Sequence, residues 1–276
     1  MSRSRVLDEG DRALVERLLA VDPVANCFVA SRVDAGVLSP RGTGELWGYP
    51  AGAPYALLHV GANVVPVNAD AEARDAFAAD MGRWRTFVAI VGPAADALDL
   101  WRRLSDRWGR VFAEARVVRE RQLLMARSLP SPVEPDPRLQ LATPAEVDSY
   151  TDGAVAMYRE ELEEDPLASN PVGYRRYVRS LIEGGRAYAI VEDGVVVFKA
   201  DLGAVSAQVA QVQGVWLAPG LRGRGLSVPA MAAVTNAVVG TGRTASLYVN
   251  DFNAPAVACY RRVGFDEVGA LASVLY

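Results

Sequence analysis

A segment of ten residues that contains four prolines divides the sequence into two parts of similar length. It reads SLPSPVEPDP and spans residues 128–137. Because proline lacks a backbone N–H and has a fixed φ, this segment can form neither the interior of a helix nor a central strand. We therefore predict an extended linker at 128–137. The 276 residues are enough for a domain on each side, and we place these domains at 1–127 and 138–276.

Helix and strand patterns alternate on both sides of the linker. The first half predicts helices at 11–20, 70–84 and 94–108 and strands at 45–49, 55–60, 63–67, 86–91 and 121–125. The second half predicts helices at 143–162, 174–183, 227–239 and 254–263 and strands at 139–142, 187–192, 195–202, 209–217, 244–249 and 267–276. The element order is roughly repeated, which predicts an α/β (α+β) fold of two similar domains.

The charge balance argues against nucleic acid and anionic membranes as partners. The formal net charge is −4 and the pI is about 5.2, so no general attraction to polyanions is expected. The sequence has no run of about 18 apolar residues, as a membrane-spanning helix requires. The first residues lack the unbroken apolar stretch of a signal peptide. We therefore expect a cytoplasmic protein, and the sequence leaves its oligomeric state open.

Cysteine, histidine and lysine are too few for several kinds of catalytic site. Cys27 and Cys259 lie in different halves without metal-ligand spacing, and we expect two reduced, buried thiols. The only histidine, His59, falls in a predicted strand and is expected to be structural. Neither a Ser-His-Asp triad nor a metal site is therefore expected. Lys199 is the only lysine, which almost excludes a lysine nucleophile.

The segment GLRGRGLSVPAM, residues 220–231, places glycines and arginines between a predicted strand and a predicted helix. Backbone N–H groups at a helix N-terminus attract anions, and glycine lets the backbone approach a phosphate closely. Residues 222–227 are therefore predicted to form a pyrophosphate cradle. No Gly-Lys-Ser/Thr follows, which argues against nucleoside triphosphate hydrolysis. The similar SPRGTG at 39–44 precedes a strand pattern and is predicted to be a plain loop.

The cradle resembles the acetyl-CoA signature of the GNAT acyltransferase superfamily, Arg/Gln-x-x-Gly-x-Gly/Ala between a strand and a helix. Here Arg222, Gly225 and Ser227 match it, with serine as a departure at the last position. A second half-motif follows at 247–265, LYVNDFNAPAVACYRRVGF. It has a strand that ends in asparagine, a second asparagine that opens a helix, then a tyrosine and Gly-Phe. The resemblance covers roughly residues 138–276.

The resemblance implies two tandem GNAT-like domains, each with a mixed, mostly antiparallel, twisted sheet flanked by helices. The first domain is similar to a degenerate member. Its expected cradle position, residues 63–70, reads NVVPVNAD and lacks Arg-Gly-x-Gly. We therefore expect it to bind no cofactor and to have a structural or substrate-shaping role.

The resemblance also implies a site for acetyl-CoA as co-substrate, with no metal. The strand before the cradle would bind the pantetheine arm and the cradle would hold the pyrophosphate. Tyr260 matches the tyrosine that gives a proton to the leaving thiolate, and a place in the core is the alternative. The implied contact residues are Val215, Trp216, Leu217, Arg222, Gly223, Arg224, Gly225, Leu226, Ser227, Asn250 and Asn253.

The general base is not evident from the sequence. The family often has a glutamate on the strand before the cradle, where this sequence has Gln211 and Gln213. Deprotonation through water and the terminal carboxylate of Tyr276 are the alternatives. The acidic run at 160–165, EELEED, would either attract a cationic amine or form a solvated helix end. The side chain of Trp216 would face either the pantetheine arm or the core.

The function implied is an acetyl-CoA-dependent N-acyltransferase, in which a primary amine attacks the acetyl group directly. A small-molecule amine and a protein amine are both open as acceptors. The alternative is a non-catalytic acyl-CoA sensor or regulatory protein. The absent strand glutamate favours the sensor, whereas Asn253 and Tyr260 favour the enzyme.

Overall fold

The computed structural model of the protein describes residues 3–162 and 165–276 and divides them into two compact units. The first unit comprises Met1–Met125, Tyr248–Asn253 and Glu267–Tyr276, and the second comprises Ala126–Leu247 and Ala254–Asp266. Short segments from the end of the chain thus belong to the first unit. The division of the sequence at 128–137 therefore does not coincide with the division into compact units.

The elements are numbered in chain order. The strands are β1 Arg5–Val6, β2 Glu45–Tyr49, β3 Ala56–Val60, β4 Asn63–Val67, β5 Ala89–Pro93, β6 Val117–Arg127, β7 Gln140–Leu141, β8 Ala187–Glu192, β9 Val195–Val205, β10 Val209–Leu217, β11 Thr244–Asn250 and β12 Asp266–Leu275. The helices are α1 Arg12–Leu19, α2 Cys27–Asp34, α3 Ala71–Asp80, α4 Ala94–Trp108, α5 Arg110–Ala113, α6 Val147–Leu162, α7 Pro166–Ser169, α8 Pro171–Glu183, α9 Ser227–Val239 and α10 Ala254–Val263.

The sheet of the first unit has the strand order β1-β2-β3-β4-β5-β12-β6. β4 and β5 are parallel, and β2, β3 and β4 pair in antiparallel fashion. One apolar core includes Phe77, Leu100 and Phe112, and another includes Val15 and Leu57. His59 is 3% exposed and its Nδ1 lies 2.9 Å from the carbonyl oxygen of Asn63. Burial lowers the pKa of this imidazole, so the histidine is a neutral part of the core, as predicted.

The sheet of the second unit has the strand order β11-β10-β9-β8-β7. Only β10 and β11 are parallel among its described pairs, and the other pairs are antiparallel. α6 and α8 cover one apolar core, which contains Val178, Leu181 and Ala189. Thr143 and Glu146 form a capping box before α6. The predicted mixed, mostly antiparallel sheet flanked by helices is confirmed.

The proline-rich segment is irregular, as predicted, but it packs on the second unit instead of spanning open space. The backbone N–H of Ser131 donates to Asn236 Oδ1 at 2.7 Å, and its hydroxyl donates to the Val263 carbonyl at 2.8 Å. The N–H of Asp136 donates to the carbonyl of Pro229 at 3.0 Å. These bonds anchor the chain against α9 and α10.

The last strand belongs to the first unit. β12 pairs antiparallel with β5, from Leu271 opposite Pro93 to Leu275 opposite Ala89. The ring of Tyr276 contacts that of Phe87, and its hydroxyl donates to the carbonyl of Phe112 at 3.1 Å. The role of the terminal carboxylate of Tyr276 as a general base stays a prediction. A run of apolar residues identifies a buried strand but does not reveal its neighbour, because pairing is decided by long-range contacts.

Candidate functional site

One edge of β10 is open along the second half of the strand. The register pairs of β10 with β11 run from Val209–Thr244 to Gln211–Ser246, whereas β10 continues to Leu217. Its exposure changes at the same point, from buried residues at the start to half-buried ones over Gln213–Leu217. A strand edge without a neighbour offers backbone donors and acceptors to an extended ligand. Val215, Trp216 and Leu217, which the resemblance implies as contacts of the pantetheine arm, lie on this stretch of β10.

The predicted cradle forms an exposed turn between β10 and α9. Gly223 and Gly225 have φ values of 72° and 77°, and a Cβ at either would meet no atom within 4 Å. Their role is therefore to permit the turn, because a left-handed backbone disfavours residues with a Cβ. Arg224 is exposed, Leu226 is half-buried at the N-cap position, and Ser227 is the first residue of α9.

The N-termini of α9 and α3 differ in a way that matters for anions. α9 has no side-chain hydrogen bond at its cap, whereas Asp70 caps α3 by accepting the N–H of Ala73 at 2.8 Å. Uncapped N–H groups at a helix start attract negative charge, and a capping carboxylate already supplies it. The start of α9 therefore has backbone N–H groups that a pyrophosphate could bind. At the start of α3 the carboxylate of Asp70 already occupies such a group.

Arg222 lies folded back over the start of the cradle. Its Nε donates to the carbonyl of Leu217 at 2.9 Å, and its guanidinium pairs with Glu160 at 2.7 Å. Both side chains of this pair are about half-exposed. The acidic run at 160–165 is thus partly neutralised, since Asp165 also pairs with Arg159 at 2.6 Å. Glu163 and Glu164 lie outside the described residues.

Tyr260 lies in the core of the second unit. Tyr260 is 8% exposed, and its ring contacts the ring of Phe265 edge to face, with the two centroids 6.1 Å apart. Burial raises the pKa of the phenol, with smaller contributions from Cys259 and Glu161. The hydroxyl is therefore protonated at any physiological pH, as a proton donor must be before it acts.

Both cysteines are buried thiols outside any disulfide, as predicted. Cys259 lies beside the start of α9, where its thiol and the hydroxyl of Ser227 are hydrogen-bonded. Burial raises the pKa of this thiol, so it is neutral and unreactive as a nucleophile. No group of three or more His, Cys, Asp and Glu side chains in the described ranges is arranged to hold a metal ion.

Asn250 and Asn253 group with the first unit. The side-chain amide of Gln122 donates to Asn250 Oδ1 at 3.1 Å, and Gln122 in turn accepts from Ser273 Oγ at 2.6 Å. Asn253 directly precedes α10, and its N–H donates to the Asn250 carbonyl at 2.9 Å. The predicted site residues thus fall into two sets: residues 215–227 and Tyr260 in the second unit, and these asparagines in the first.

A buried ionic cluster lies beside β10 that sequence reasoning missed. The side chains of Lys199 and Asp201 are 0% and 8% exposed, and their Nζ and Oδ2 atoms are 3.1 Å apart. The hydroxyl of Tyr150 donates to the other carboxylate oxygen of Asp201. Lys199 Nζ also donates to the carbonyl of Gly214 at 2.6 Å. The available signal was a Lys-x-Asp pair inside an apolar strand, which places both charges on one face.

Trp216 faces α6. An ideal Cβ on Gly153 of that helix would lie 3.2 Å from the indole Cζ3, so the ring packs where the helix has no side chain. The indole N–H is buried and has no hydrogen-bond partner among the described residues. Of the two alternatives for the Trp216 side chain, the indole takes the one in which it packs against the domain's own helix, at Gly153 of α6.

A cavity of about 660 Å³ opens between α6, α7 and α8. Its aromatic wall consists of Tyr158, Tyr174 and Tyr177. The ring centroid of Tyr174 lies 5.7 Å from that of Tyr158 and 6.2 Å from that of Tyr177. The hydroxyl of Tyr177 accepts a hydrogen bond from Gln213 of β10 at 3.0 Å. Burial raises the pKa of Tyr174 and of Tyr177, and the next contribution comes from Tyr158 at Tyr174 and from Asp201 at Tyr177. The wall therefore suits a ligand with cationic or aromatic groups.

The family comparisons agree with this geometry. Residues 146–265 match the family described as acetyltransferase (GNAT), and residues 44–150 match a domain of unknown function, DUF4081. The second half of the chain thus carries a GNAT domain, as the resemblance implied. None of the curated proteins matches the sequence.

Several solved structures match over the whole chain. A GNAT-family acetyltransferase from Colwellia psychrerythraea has a TM-score of 0.59 at 10% identity, with 99% of each chain covered. A Drosophila protein has a TM-score of 0.66 at 10% identity, covering 100% of this chain and 99% of its own. A tandem GNAT protein of the clavulanic acid biosynthesis pathway has a TM-score of 0.54 at 13% identity, with 99% and 98% covered. At these identities the likeness shows the fold, which is that of tandem GNAT proteins.

Proposed function

We propose that the GNAT domain at 146–265 transfers the acetyl group of acetyl-CoA to a primary amine. The observation that carries this proposal is the open edge of β10 followed by a glycine turn and an uncapped helix. An open strand edge can bind an extended arm that contains amides, and an uncapped helix start can bind a pyrophosphate. The order of these two features along the chain matches a ligand in which such an arm is joined to a pyrophosphate. Coenzyme A has both, and its thioester supplies the acyl group.

The residues that would hold acetyl-CoA fit its chemistry. Val215, Trp216 and Leu217 are half-buried residues, and their backbone would offer donors and acceptors to the two amides of the pantetheine arm. The cradle from Arg222 to Ser227 offers N–H groups and two exposed guanidinium groups to the diphosphate. Contacts from Asn250 and Asn253 remain a proposal that rests on the sequence resemblance.

The proposed reaction forms one bond and breaks one. The amine nitrogen bonds to the thioester carbon, the C–S bond breaks, and the electron pair leaves on sulfur. The phenol of Tyr260 gives its proton to that sulfur and regains one from solvent. The proton lost by the nitrogen passes to water, because Gln211 and Gln213 on β10 accept none. A backbone N–H on the stretch of β10 from Val215 to Leu217 would stabilise the negative charge that develops on the carbonyl oxygen.

The acceptor would bind at the cavity walled by Tyr158, Tyr174 and Tyr177. This wall is joined to β10 through the hydrogen bond between Tyr177 and Gln213. Tyrosine faces attract cations, by roughly 0.5–2 kcal/mol each. A cationic amine, either on a small molecule or on a protein, fits these requirements.

Calorimetric titration of acetyl-CoA tests the cofactor site. Gly225→Glu places a Cβ at a positive φ and a negative charge in the cradle, so we expect binding by the parent and none by this variant. Gly194→Glu is the matched control, because Gly194 has a φ of 79° and equally open surroundings in the β8–β9 turn. Equal binding by all three proteins, or by none, would contradict the proposal.

Turnover separates the enzyme from an acyl-CoA sensor. A sensor is favoured by the lack of a carboxylate at Gln211 and Gln213 on β10. Release of free thiol from acetyl-CoA in the presence of a panel of amines is expected from an enzyme. Tight binding without thiol release across that panel would favour the sensor.

A further inference from the structure

We propose that Lys199 is a positioning residue for acyl transfer, and that it acts through the peptide between Gly214 and Val215. Its ammonium group holds the Gly214 carbonyl and polarises this peptide, so that the N–H of Val215 binds the thioester oxygen more strongly. The inference rests on the proposed function and adds a group to it. Lys199 does not touch the substrate; Val215 does.

The buried charges of Lys199 and Asp201 call for an explanation other than stability. Desolvation of an ion pair is costly, and apolar residues of similar volume are often as good or better. Apart from Lys199, the Lys and Arg residues of the sequence are all arginine. The side chain of this one lysine is 0% exposed. A charge kept at this place despite its cost points to a task that an apolar residue cannot perform.

The cluster lies at a bulge in β10. Gln213 is opposite Asp201 and Trp216 is opposite Lys199, so that two residues of β10 stand against one of β9. A bulge removes backbone groups from the ladder, and the freed Gly214 carbonyl receives Lys199 Nζ at 2.6 Å. The bulge lies on the half-buried stretch of β10 that we propose to bind acetyl-CoA.

The bulge and the cluster require each other. Gly214 has a φ of 60°. A Cβ at this position would lie 2.4 Å from Asp201 Oδ2 and 2.9 Å from Lys199 Nζ, which is closer than atoms can approach. Glycine is therefore needed for both the turn and the close approach of the charges. An ammonium group placed here fixes where the next peptide points.

The geometry of a trans peptide transmits the effect of the charge. The peptide between Gly214 and Val215 is trans, since Tyr49–Pro50 is the cis peptide bond among the described residues. The carbonyl and the N–H of a trans peptide point in opposite directions. The N–H of Val215 therefore points away from the ammonium group that binds the Gly214 carbonyl. A charged donor on a carbonyl is a strong hydrogen bond and strengthens the N–H of the same unit.

Asp201 and Tyr150 keep the ammonium group in place. Asp201 Oδ2 accepts from Lys199 Nζ at 3.1 Å, and the hydroxyl of Tyr150 occupies the other carboxylate oxygen and lies 3.2 Å from the Ala200 carbonyl. The ring of Tyr150 also lies 5.1 Å from Nζ, so its face adds a cation–π contact. Burial and Asp201 raise the pKa of Tyr150, and it therefore remains a donor.

Isotope-edited infrared spectroscopy of the thioester carbonyl tests the inference. Acetyl-CoA labelled with 13C at the carbonyl is bound without an acceptor, and its stretching frequency is compared between the parent and two variants. The variants are Lys199→Met and Lys199→Met/Asp201→Asn, of which the second leaves no unpaired buried carboxylate. We expect the frequency to move from its value in the parent complex toward that of free acetyl-CoA. Removal of a direct oxyanion donor lowers kcat about 10²–10³-fold. Because Lys199 acts indirectly, we expect kcat of the two variants to fall by about tenfold.

The affinity for coenzyme A without an acyl group separates this role from a merely structural one. We expect that affinity to change by less than about twofold, because the polarised N–H meets only the acyl oxygen. Ile182→Val, in the same core but away from the cluster, controls for loss of packing and should match the parent in frequency and kcat.

The outcomes that overturn the inference are distinct from those that overturn the proposed function. Parent-like frequency and kcat in the double variant would overturn the inference alone. Equal proportional losses of coenzyme A affinity and kcat would overturn it too, since the cluster would then only maintain the fold. Failure of the parent itself to bind acetyl-CoA would overturn the proposed function, and this inference with it.

Discussion

Trp216 packs against Gly153 so closely that an added Cβ on the glycine would lie 3.2 Å from Cζ3 and 3.3 Å from Cε3 of the indole. The same Cβ would lie 3.6 Å from Cδ of Lys199. One glycine in the middle of α6 thus admits both a residue of the open strand edge and the stem of the buried lysine. A glycine inside a helix is unfavourable by about 1 kcal/mol relative to alanine, and this close approach explains its presence.

Gly153→Ala is expected to weaken acetyl-CoA binding without lowering stability. The new methyl group pushes the ring of Trp216 by a few tenths of an ångström and shifts the edge of β10, while the helix itself gains about 1 kcal/mol. We expect a several-fold higher Kd by calorimetry and a free energy of unfolding close to that of the parent. Asp152→Ala, on the exposed side of α6, is the control and should leave the Kd unchanged. An unchanged Kd in Gly153→Ala would show that the Trp216 backbone does not bind acetyl-CoA.

Asp70→Ala is expected to destabilise the first unit. Asp70 caps α3 by accepting the N–H of Ala73 at 2.8 Å, and its carboxylate also accepts from the hydroxyl of Tyr55 at 3.0 Å. Loss of such a cap costs about 0.5–2 kcal/mol. Urea denaturation should show a lower midpoint for Asp70→Ala, whereas Asp70→Asn, which still caps, should stay near the parent. Equal midpoints for all three proteins would mean that the cap contributes nothing.

Glu160→Gln is expected to tighten acetyl-CoA binding. Glu160 holds Arg222 at 2.7 Å, and its removal frees the guanidinium for a phosphate. An exposed pair contributes about 0–1 kcal/mol, which corresponds to at most about a fivefold lower Kd. The gain should shrink at high salt, because both groups are near half-exposed. Asp148→Asn is the control, because Asp148 lies in the same helix as Glu160 and its variant removes a different ion pair, the one with Arg175. We expect the Kd of this control to equal that of the parent.

The sequence located the elements that are defined by local patterns. α4, β10 and α10 have the predicted bounds, because each shows clear apolar periodicity with a turn residue at its end. α2 was missed: its sequence, CFVASRVD, has a β-branched, mixed composition, and no side chain caps it. The helix predicted at 11–20 begins at Arg12, and Asp8 forms a capping box with Asp11 in the short 3-10 turn before it.

The non-local parts of the site were beyond the sequence. The splay of β10 depends on where pairing with β11 stops, and the first-unit position of β12 depends on a partner far away in the chain. The Lys199 cluster also needs the fold, since Tyr150, Asp201 and Gly214 come from α6, β9 and β10. Only the cradle residues, which are contiguous, could be predicted from their order alone.

Tyr260→Phe is expected to lower kcat strongly while leaving the Kd for acetyl-CoA near that of the parent. The proposed role of the phenol is to protonate the thiolate, and general acids contribute about 10²–10⁴-fold. Thiol release and calorimetry on the same preparation measure the two quantities. A fall in affinity without a fall in kcat would instead assign Tyr260 to the core, where its ring contacts Phe265.

The same variant is expected to change the stability of the protein in alkali. Burial raises the pKa of Tyr260 in the folded state, while an unfolded tyrosine has a pKa of about 10. The stabilisation from the neutral phenol is therefore fully present below pH of about 10 and is lost as the pH rises above it, since the unfolded chain releases its proton first. Denaturation at pH 8 and at several values above 10 should show a steeper loss of the free energy of unfolding in the parent than in Tyr260→Phe. Parallel curves for the two proteins would mean that the phenol titrates normally, and so lies closer to solvent than its 8% exposure indicates.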